Sequence, residues 1–187
     1  MRSRATVVIT MCVVMLYTSL VTADEQSTAT AANTNAEQEA SVRPTRQVVT
    51  TTTFAPAVVE FLKRPLPAQL VTLNPSGSPQ LTIMWFQYED GALLFTTTTD
   101  RVKFRNYQND PRATFAVLDP TNMYKWVIVN GTLSVDDRDP QAFYRHLAEH
   151  YFDEAGLAEW RKRAVMERRT VLKLTPTQIR ALGFAQE

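Results

Sequence analysis

A short cationic segment follows four consecutive threonines near the middle of the chain. Arg101, Lys103 and Arg105 lie within the stretch RVKFR, directly after the predicted strand LLFTTTT. The following residues predict one or two helical turns, which places Arg101 and Lys103 at the N-terminal end of a short helix. Backbone N–H groups at such an end are unpaired and carry partial positive charge. Further cations there favour a bound anion such as phosphate, the alternative being solvated surface cations.

A second motif with residues suited to catalysis or metal binding is HLAEH, which contains His146, Glu149 and His150. It matches the H-x-x-E-H pattern of inverted zinc proteases, in which two histidines on one helix face bind the metal. The pattern is short, and too few residues follow His150 to supply the remaining acidic ligand within a large domain. We therefore predict two histidines on a solvated helix face and no metal site.

The overall composition is that of one globular domain with little charge imbalance. The chain has 187 residues, a formal net charge of +1 and 44% hydrophobic residues. These values do not point to nucleic acid or a membrane surface as a partner. The single cysteine, Cys12, excludes a disulfide framework or a cysteine-based metal site within one chain.

The N-terminus has the features of a signal peptide. The cationic MRSR precedes the apolar run ATVVITMCVVMLYTSLV, and small residues end at Ala23. We predict a signal peptide over residues 1–23 and export by the general secretory route. An uncleaved anchor is one alternative, and a start codon further downstream, which would give a cytoplasmic protein, is another. Residues 24–53 are rich in Ser, Thr and Ala and predict a disordered linker before a folded domain at 54–187.

Turn signals divide the folded domain into strands and helices. The stretch from AQLVTL to LLFTTTT is interrupted by NPSG and EDG and predicts a three-strand meander. Further strands are predicted at PRATFAVLD, YKWVIVNGTLSV and RTVLKLTP, with IRALGF as one more candidate. Helices are predicted at APAVVEFLKR, PQAFYRHLAEHYF and AGLAEWRKRAVMER.

These elements indicate a mainly β (α+β) domain. About six or seven antiparallel strands with two or three peripheral helices favour a closed or partly closed β-barrel. A Rossmann domain is not expected, because NPSGSP lacks the second and third glycines of the dinucleotide fingerprint.

Several of these segments together resemble the split β-barrel flavin and deazaflavin oxidoreductases. The resemblance rests on GSPQLTIMWF, LLFTT, RVKFRNYQNDPR, VNGT and ERRTVLKLTP, in that order, and covers roughly residues 54–184. The family is the pyridoxamine 5'-phosphate oxidase-like class, and the most similar branch uses coenzyme F420. The resemblance implies a barrel of the FMN-binding split-barrel type.

The resemblance also implies where the cofactor would bind. The RxK pair, Arg101 and Lys103, would hold its phosphate. The strand before this pair and the strand after GSP would line its ring system. The other implied cofactor-binding residues are Gln80, Thr82, Ile83, Met84, Thr96, Thr97 and Thr98.

Three further sets of residues have implied roles. Asn106 and Arg112 would be mainly structural. The cations Arg105, Lys125 and Arg145 are available for the glutamyl tail of the deazaflavin. In a homodimer with the cofactor at the subunit interface, the partner chain would contribute side chains, with Tyr124 and Trp126 as candidates.

The implied activity is that of an oxidoreductase which transfers hydride to a small substrate with a polarised double bond, of the CH-CH type. Coenzyme F420 is the implied cofactor and FMN the alternative, because both have a tricyclic ring and a phosphate. No catalytic acid or base is assigned, since the cofactor supplies the hydride. Vitamin B6 oxidation is not favoured, because the additional substrate-phosphate cations of that reaction are not recognised here. A non-catalytic flavin- or haem-binding protein is the remaining alternative.

Overall fold

The computed structural model describes residues 47–184, which form an antiparallel sheet with helices packed against it. Eight strands lie in these residues: β1 (Val49–Thr51), β2 (Ala68–Leu73), β3 (Pro79–Met84), β4 (Gln87–Glu89), β5 (Ala92–Thr98), β6 (Arg112–Asp119), β7 (Asn122–Asp136) and β8 (Arg169–Leu182). Four helices accompany them: α1 (Pro56–Leu62), α2 (Val102–Asn109), α3 (Pro140–Tyr151) and α4 (Glu154–Arg163).

Strand pairing places the two longest strands at the centre of the sheet. The order is β3-β2-β6-β7-β8-β5-β4, and β1 pairs separately with β8. Strands β7 and β8 run antiparallel over almost their whole length. The first half of β8 also pairs with β5, where Thr98 lies opposite Arg169, and its last part pairs with β1. Strand β8 therefore connects the start of the domain to the strand that precedes the cationic helix α2.

The core lies on both sides of β5. Phe95 faces the main hydrophobic cluster, which also contains Phe86 and Phe115. The neighbouring Leu94 faces a second cluster under helix α3, formed with Leu147. Because successive side chains of a strand point to opposite faces, β5 is buried on both of them and is held in a fixed position. The residues that follow β5 are consequently presented from a rigid part of the domain.

The connectivity corrects one prediction from the sequence. The stretch predicted as a three-strand meander forms two hairpins, β2–β3 and β4–β5, which lie at opposite ends of the sheet order. Trp85 and Phe86 separate β3 from β4. Phe86 is buried in the main core, and Trp85 packs against the second cluster. Strand β3 pairs with β2 and strand β4 with β5, so β3 and β4 do not pair with each other.

The number and ends of the elements also differ from the prediction. The segments RTVLKLTP and IRALGF form one continuous strand, β8, because β7 pairs with both of them. Strand β1 lies within residues 24–53, the predicted linker, and is ordered by pairing Val49 with Ala181. The remaining linker and the predicted signal peptide lie outside the described residues. Within residues 47–184, every helix is too short or too polar to cross a bilayer.

Candidate functional site

A cavity of about 300 Å³ lies at the edge of the sheet, beside strand β3 and the start of helix α2. Its walls come from five elements, β3, β5, α2, α3 and β8, of which α3 and β8 are distant in sequence from the other three. The lining residues are Thr82, Ile83, Met84, Trp85, Thr96, Thr97, Thr98, Arg101, Lys103, Tyr144, Leu147 and Arg169.

All but one of the cofactor-binding residues predicted from the sequence line this cavity. The exception is Gln80, which lies at the start of β3. Its side-chain amide donates a hydrogen bond to Thr82 Oγ1 at 2.7 Å and accepts one from Thr72 at 3.1 Å. Gln80 therefore holds a lining threonine in position, and its predicted contact with the cofactor ring stays a prediction.

Lys103 is a buried cation for which residues 47–184 provide no counterion. It is 9% exposed and lines the cavity. Within residues 47–184 its ammonium group has neither a hydrogen-bond acceptor nor an ion-pair partner. Burial, together with the positive charge of Arg101, lowers the pKa of Lys103. Since an unpaired buried charge is costly, water or an anion near the ammonium group in the cavity would stabilise this arrangement.

The helix N-terminus provides further donors at the same place. Arg101 is the N-cap residue of α2, in an extended conformation, and no side chain caps this end of the helix. The first backbone N–H groups of a helix have no intrahelical acceptor. Thr97 and Thr98, at the end of β5, are buried beside it. Backbone N–H groups and two cations thus lie at one end of the cavity, next to the lining residues Thr97 and Thr98, and such a helix end is suited to bind phosphate.

Four lining residues were not assigned from the sequence. They are Trp85, Tyr144, Leu147 and Arg169. The Arg169 guanidinium lies 3.2 Å from the centre of the Tyr144 ring. It also donates from Nη1 to Thr96 Oγ1 at 3.4 Å and from Nε to the Val165 carbonyl. The sequence contains no local signal for these contacts, because they depend on the pairing of β8 with β5.

Asn106 and Arg112 make contacts of the structural kind that was expected. The buried Asn106 amide donates to Thr72 Oγ1 at 3.1 Å and to Asn74 Oδ1 at 3.0 Å, which ties α2 to the β2–β3 hairpin. The exposed Arg112 pairs with Asp110 and lowers the pKa of that carboxyl to about 2. Both residues support the segment that leads from α2 into β6.

The cations considered for a cofactor tail lie outside the cavity lining. Arg105 donates to the Asp100 carbonyl. Lys125 has its ammonium 5.2 Å from the centre of the Phe184 ring, and Arg145 borders a separate cavity beside Trp160. The two β7 residues considered as contributions from a partner chain, Tyr124 and Trp126, do not line the cavity of their own chain.

The metal hypothesis finds no support in the described part of the chain. His146 and His150 are both exposed on helix α3. Between residues 47 and 184, no group of three or more His, Cys, Asp or Glu side chains is placed to hold a metal ion.

Solved structures with the same fold include one clear relative. A protein described as an F420 reductase is 35% identical, with a TM-score of 0.54, and the match covers 64% of this chain and 93% of the reductase. A conserved hypothetical protein from Mycobacterium tuberculosis is 21% identical, with a TM-score of 0.53, over 73% of this chain and 92% of the other. An FAD-binding protein from Mesorhizobium loti is 16% identical, with a TM-score of 0.53, over 74% and 99%. Curated proteins gave no significant match.

The family assignment rests on the folded domain as a whole. The family described as pyridoxamine 5'-phosphate oxidase matches residues 54–183, which span α1 to the end of β8. Seven of the eight described strands, β2 to β8, and the cationic cavity belong to this matched region. The chain is therefore a member of the pyridoxamine 5'-phosphate oxidase family and has its split β-barrel fold.

Proposed function

We propose that this protein is an oxidoreductase that binds coenzyme F420 and transfers hydride to a small substrate with a polarised double bond. The observation that carries the proposal is Lys103, a buried cation that has no protein partner in the described region and lies beside Arg101. A cofactor phosphate would neutralise both charges. The 35% identity to an F420 reductase, over 93% of that protein, supports the deazaflavin among the possible cofactors.

The lining residues match the demands of such a cofactor. Arg101 and Lys103 would hold the phosphate, with the hydroxyl groups of Thr97 and Thr98 nearby. Strand β3 contributes Met84, an apolar and adaptable side chain suited to lie against a planar ring. The reduced cofactor supplies the hydride, and the protein supplies position, electrostatics and exclusion of water. No lining side chain is a carboxylate or histidine, so we assign no catalytic acid or base.

FMN is the second candidate cofactor, because the same observation favours it. A pair of cations at a helix N-terminus would bind a phosphate group, and both FMN and coenzyme F420 contain one. A third possibility is a protein that binds a flavin or haem without turnover. Binding measurements on the purified protein separate these possibilities.

We also propose that the protein is a homodimer with the cofactor at the subunit interface. Leu81 and Ile83 on the edge strand β3 are 55% and 58% exposed, and Ile83 lines the cavity. The strand register places Ile83 in one row with Gln69, Ala116 and Ile128 on the same face of the sheet. Exposed apolar side chains on an edge strand beside a cavity, here Leu81 and Ile83, are typical of an interface. Dimerisation would cover both the face and the cavity mouth.

The proposal is tested by titrating the purified protein with coenzyme F420, FMN, riboflavin and haem, while absorption and fluorescence are recorded. We expect saturable binding of coenzyme F420, weaker binding of FMN and little binding of riboflavin. Reduced coenzyme F420 should then be oxidised in the presence of conjugated enones or related acceptors. Preference for haem, or the absence of binding by all four ligands, would contradict the proposed function.

The dimer is tested on the same preparation. Sedimentation should give twice the monomer mass, and Ile83→Glu should shift the protein towards the monomer and weaken cofactor binding together. A wild-type monomer that binds the cofactor would contradict the interface.

Export through the predicted signal peptide remains a proposal as well. Mass spectrometry of the protein from its host should give a mature N-terminus at Asp24, the residue after the predicted cleavage site. A cytoplasmic chain that begins near Ser41 or later would contradict it.

A further inference from the structure

Arg169 is a cation of the cavity that the phosphate site does not use. It is partly buried, and burial is the main cause that lowers its pKa, with the charge of Arg101 adding to the effect. No carboxylate pairs with it in residues 47–184. Its Cα lies opposite Thr98, but the guanidinium reaches back along β5 to Thr96. The charged group therefore points away from the start of α2, towards helix α3.

The number of charges in the cavity exceeds what one phosphate neutralises. The lining contains Arg101, Lys103 and Arg169 and no Asp or Glu. A phosphate monoester carries a charge of about −1.5 to −2 at neutral pH, and a diester carries less. A bound cofactor phosphate would therefore leave about one positive charge without a counterion if it is a monoester, and about two if it is a diester. A further anionic group, such as a carboxylate, would reduce this excess of positive charge in the half-buried space.

The surroundings of Arg169 are aromatic and already arranged. Its guanidinium stacks on Tyr144 at 3.2 Å, and the Tyr144 ring is stacked with Trp85, the centroids being 6.1 Å apart at an interplanar angle of 27°. Both rings line the cavity. Val165 and Thr96 accept hydrogen bonds from Nε and Nη1, and a side-chain hydrogen bond joins the guanidinium to Tyr144, so the guanidinium is fixed at the cavity wall. A fixed guanidinium loses less conformational entropy on binding than a mobile one.

We propose that Arg169, stacked on Tyr144, is a second anion-binding position of the cavity, and that it holds a carboxylate of the substrate. The inference rests on the proposed function in taking the Arg101–Lys103 end as the phosphate site. It adds the substrate class: a small acceptor that carries a carboxylate for the guanidinium. Neutral acceptors would lack this contact.

The test uses two simple anions on the cofactor-free full chain, with the rise in Tm as the measure of binding. Benzoate stands for the substrate carboxylate and inorganic phosphate for the cofactor phosphate. Arg169→Gln should weaken the apparent affinity for benzoate about tenfold or more and leave that for phosphate nearly unchanged. Lys103→Ala should do the reverse. Arg163→Gln, which changes an exposed arginine outside the cavity, is the matched control and should leave both affinities unchanged.

Two outcomes would overturn a second anion position. One is that Arg169→Gln behaves like Arg163→Gln towards both anions. The other is competition in the wild-type protein, where saturating phosphate should leave the benzoate affinity within about twofold if the positions are separate. The wild-type competition needs no variant, so the inference stays testable if Arg169→Gln does not fold. Because no cofactor is present, these results do not depend on whether coenzyme F420 or FMN binds.

A final comparison identifies the source of the carboxylate. Benzoate binding that persists in protein saturated with coenzyme F420 or FMN supports a substrate carboxylate. Displacement of benzoate by coenzyme F420 but not by FMN would mean that an anionic group of the cofactor itself occupies Arg169, and would overturn the substrate assignment.

Discussion

Arg138 and the cavity cations Lys103 and Arg169 lie in the same domain but differ in their counterions. The Arg138 guanidinium bonds to both oxygens of Glu89, at 3.0 and 3.1 Å, and to Asp136 at 2.6 Å. It is neutralised by residues of its own chain and joins β4 to the end of β7. Lys103 and Arg169 are also removed from water to a large extent, yet neither has a carboxylate partner within residues 47–184. The first arrangement stabilises the fold, whereas the second leaves positive charge for a ligand.

The pKa shifts at the Arg138 network and in the cavity have different physical causes. Hydrogen bonds from Arg138 lower the pKa of Glu89 and of Asp136, because the charged carboxylate is the bonded form. The pKa of Lys103 is lowered because burial disfavours its charged form. The lowered pKa of Glu89 thus results from its hydrogen bond with Arg138. The lowered pKa of Lys103 results from burial without an anionic partner in the described residues. A bound anion would reverse the second shift and not the first.

The largest expected effect is on cofactor affinity. Lys103→Ala should weaken the binding of FMN and coenzyme F420 by about 1.5–3 kcal/mol, tenfold or more in Kd, since a charge-assisted hydrogen bond to phosphate is lost. Riboflavin, which has no phosphate, should lose little affinity, and fluorescence titration measures all three. Arg101→Ala combined with Lys103→Ala should be non-additive, because both residues would bind one group. Equal losses for riboflavin and FMN would contradict a phosphate site.

Removing Arg138 should lower the free energy of unfolding and leave the affinity for the cofactor unchanged. Arg138→Ala leaves two partly buried carboxylates without their donor, so we expect the free energy of unfolding to fall by about 2 kcal/mol in urea titrations. Arg112→Ala is the control, since its pair with Asp110 is largely exposed and should contribute within about 0.5 kcal/mol. Unchanged stability in Arg138→Ala would mean that this network is no stronger than a surface pair.

The pH dependence of the free energy of unfolding should show the contribution of Glu89 and Asp136, the two carboxylates bonded to Arg138. Glu89 and Asp136 have folded-state pKa values below those of the unfolded chain, so the folded protein binds fewer protons in that range. Their contribution is complete above the ordinary carboxyl pKa of about 4 and is lost as pH falls through the lower folded values. Urea titrations between about pH 5 and pH 2 should therefore show a shallower decline for Arg138→Ala than for the wild type. If the free energies of unfolding of the wild type and of Arg138→Ala decline in parallel as the pH falls, other carboxylates are responsible for the loss of stability in acid.

The smallest expected effect is a gain in stability from removing the unpaired lysine. Lys103→Met keeps most of the side-chain volume and removes the buried charge. The cofactor-free variant should be as stable as the wild type or more stable by up to about 1 kcal/mol, as judged by urea unfolding. In the presence of saturating cofactor the order should reverse, because only the wild type gains the phosphate contact. A clear loss of stability without cofactor would show that Lys103 has a structural role.

The sequence predicted the parts of the site that are local. Arg101 and Lys103 lie three and five residues beyond the last residue of β5, and the strand-to-helix turn places them together with Thr97 and Thr98. Local spacing of this kind is set by backbone geometry. Gln80 shows the limit of such reasoning, because the sequence placed it in β3 but did not predict its side-chain hydrogen bonds with Thr82 and Thr72.

What the sequence by itself determined is a mainly antiparallel barrel and a cationic turn before a short helix. Strand alternation, turn residues and helix ends are properties of neighbouring residues, so they can be read in order along the chain. Only the tertiary structure decided that β8 pairs with β5, which brings Arg169 next to Thr96 and against Tyr144. It also decided that Arg138 has carboxylate partners and that Lys103 has none in the described chain. Pairing between distant strands and the burial of charge depend on the whole core, and no local pattern in the sequence encodes them.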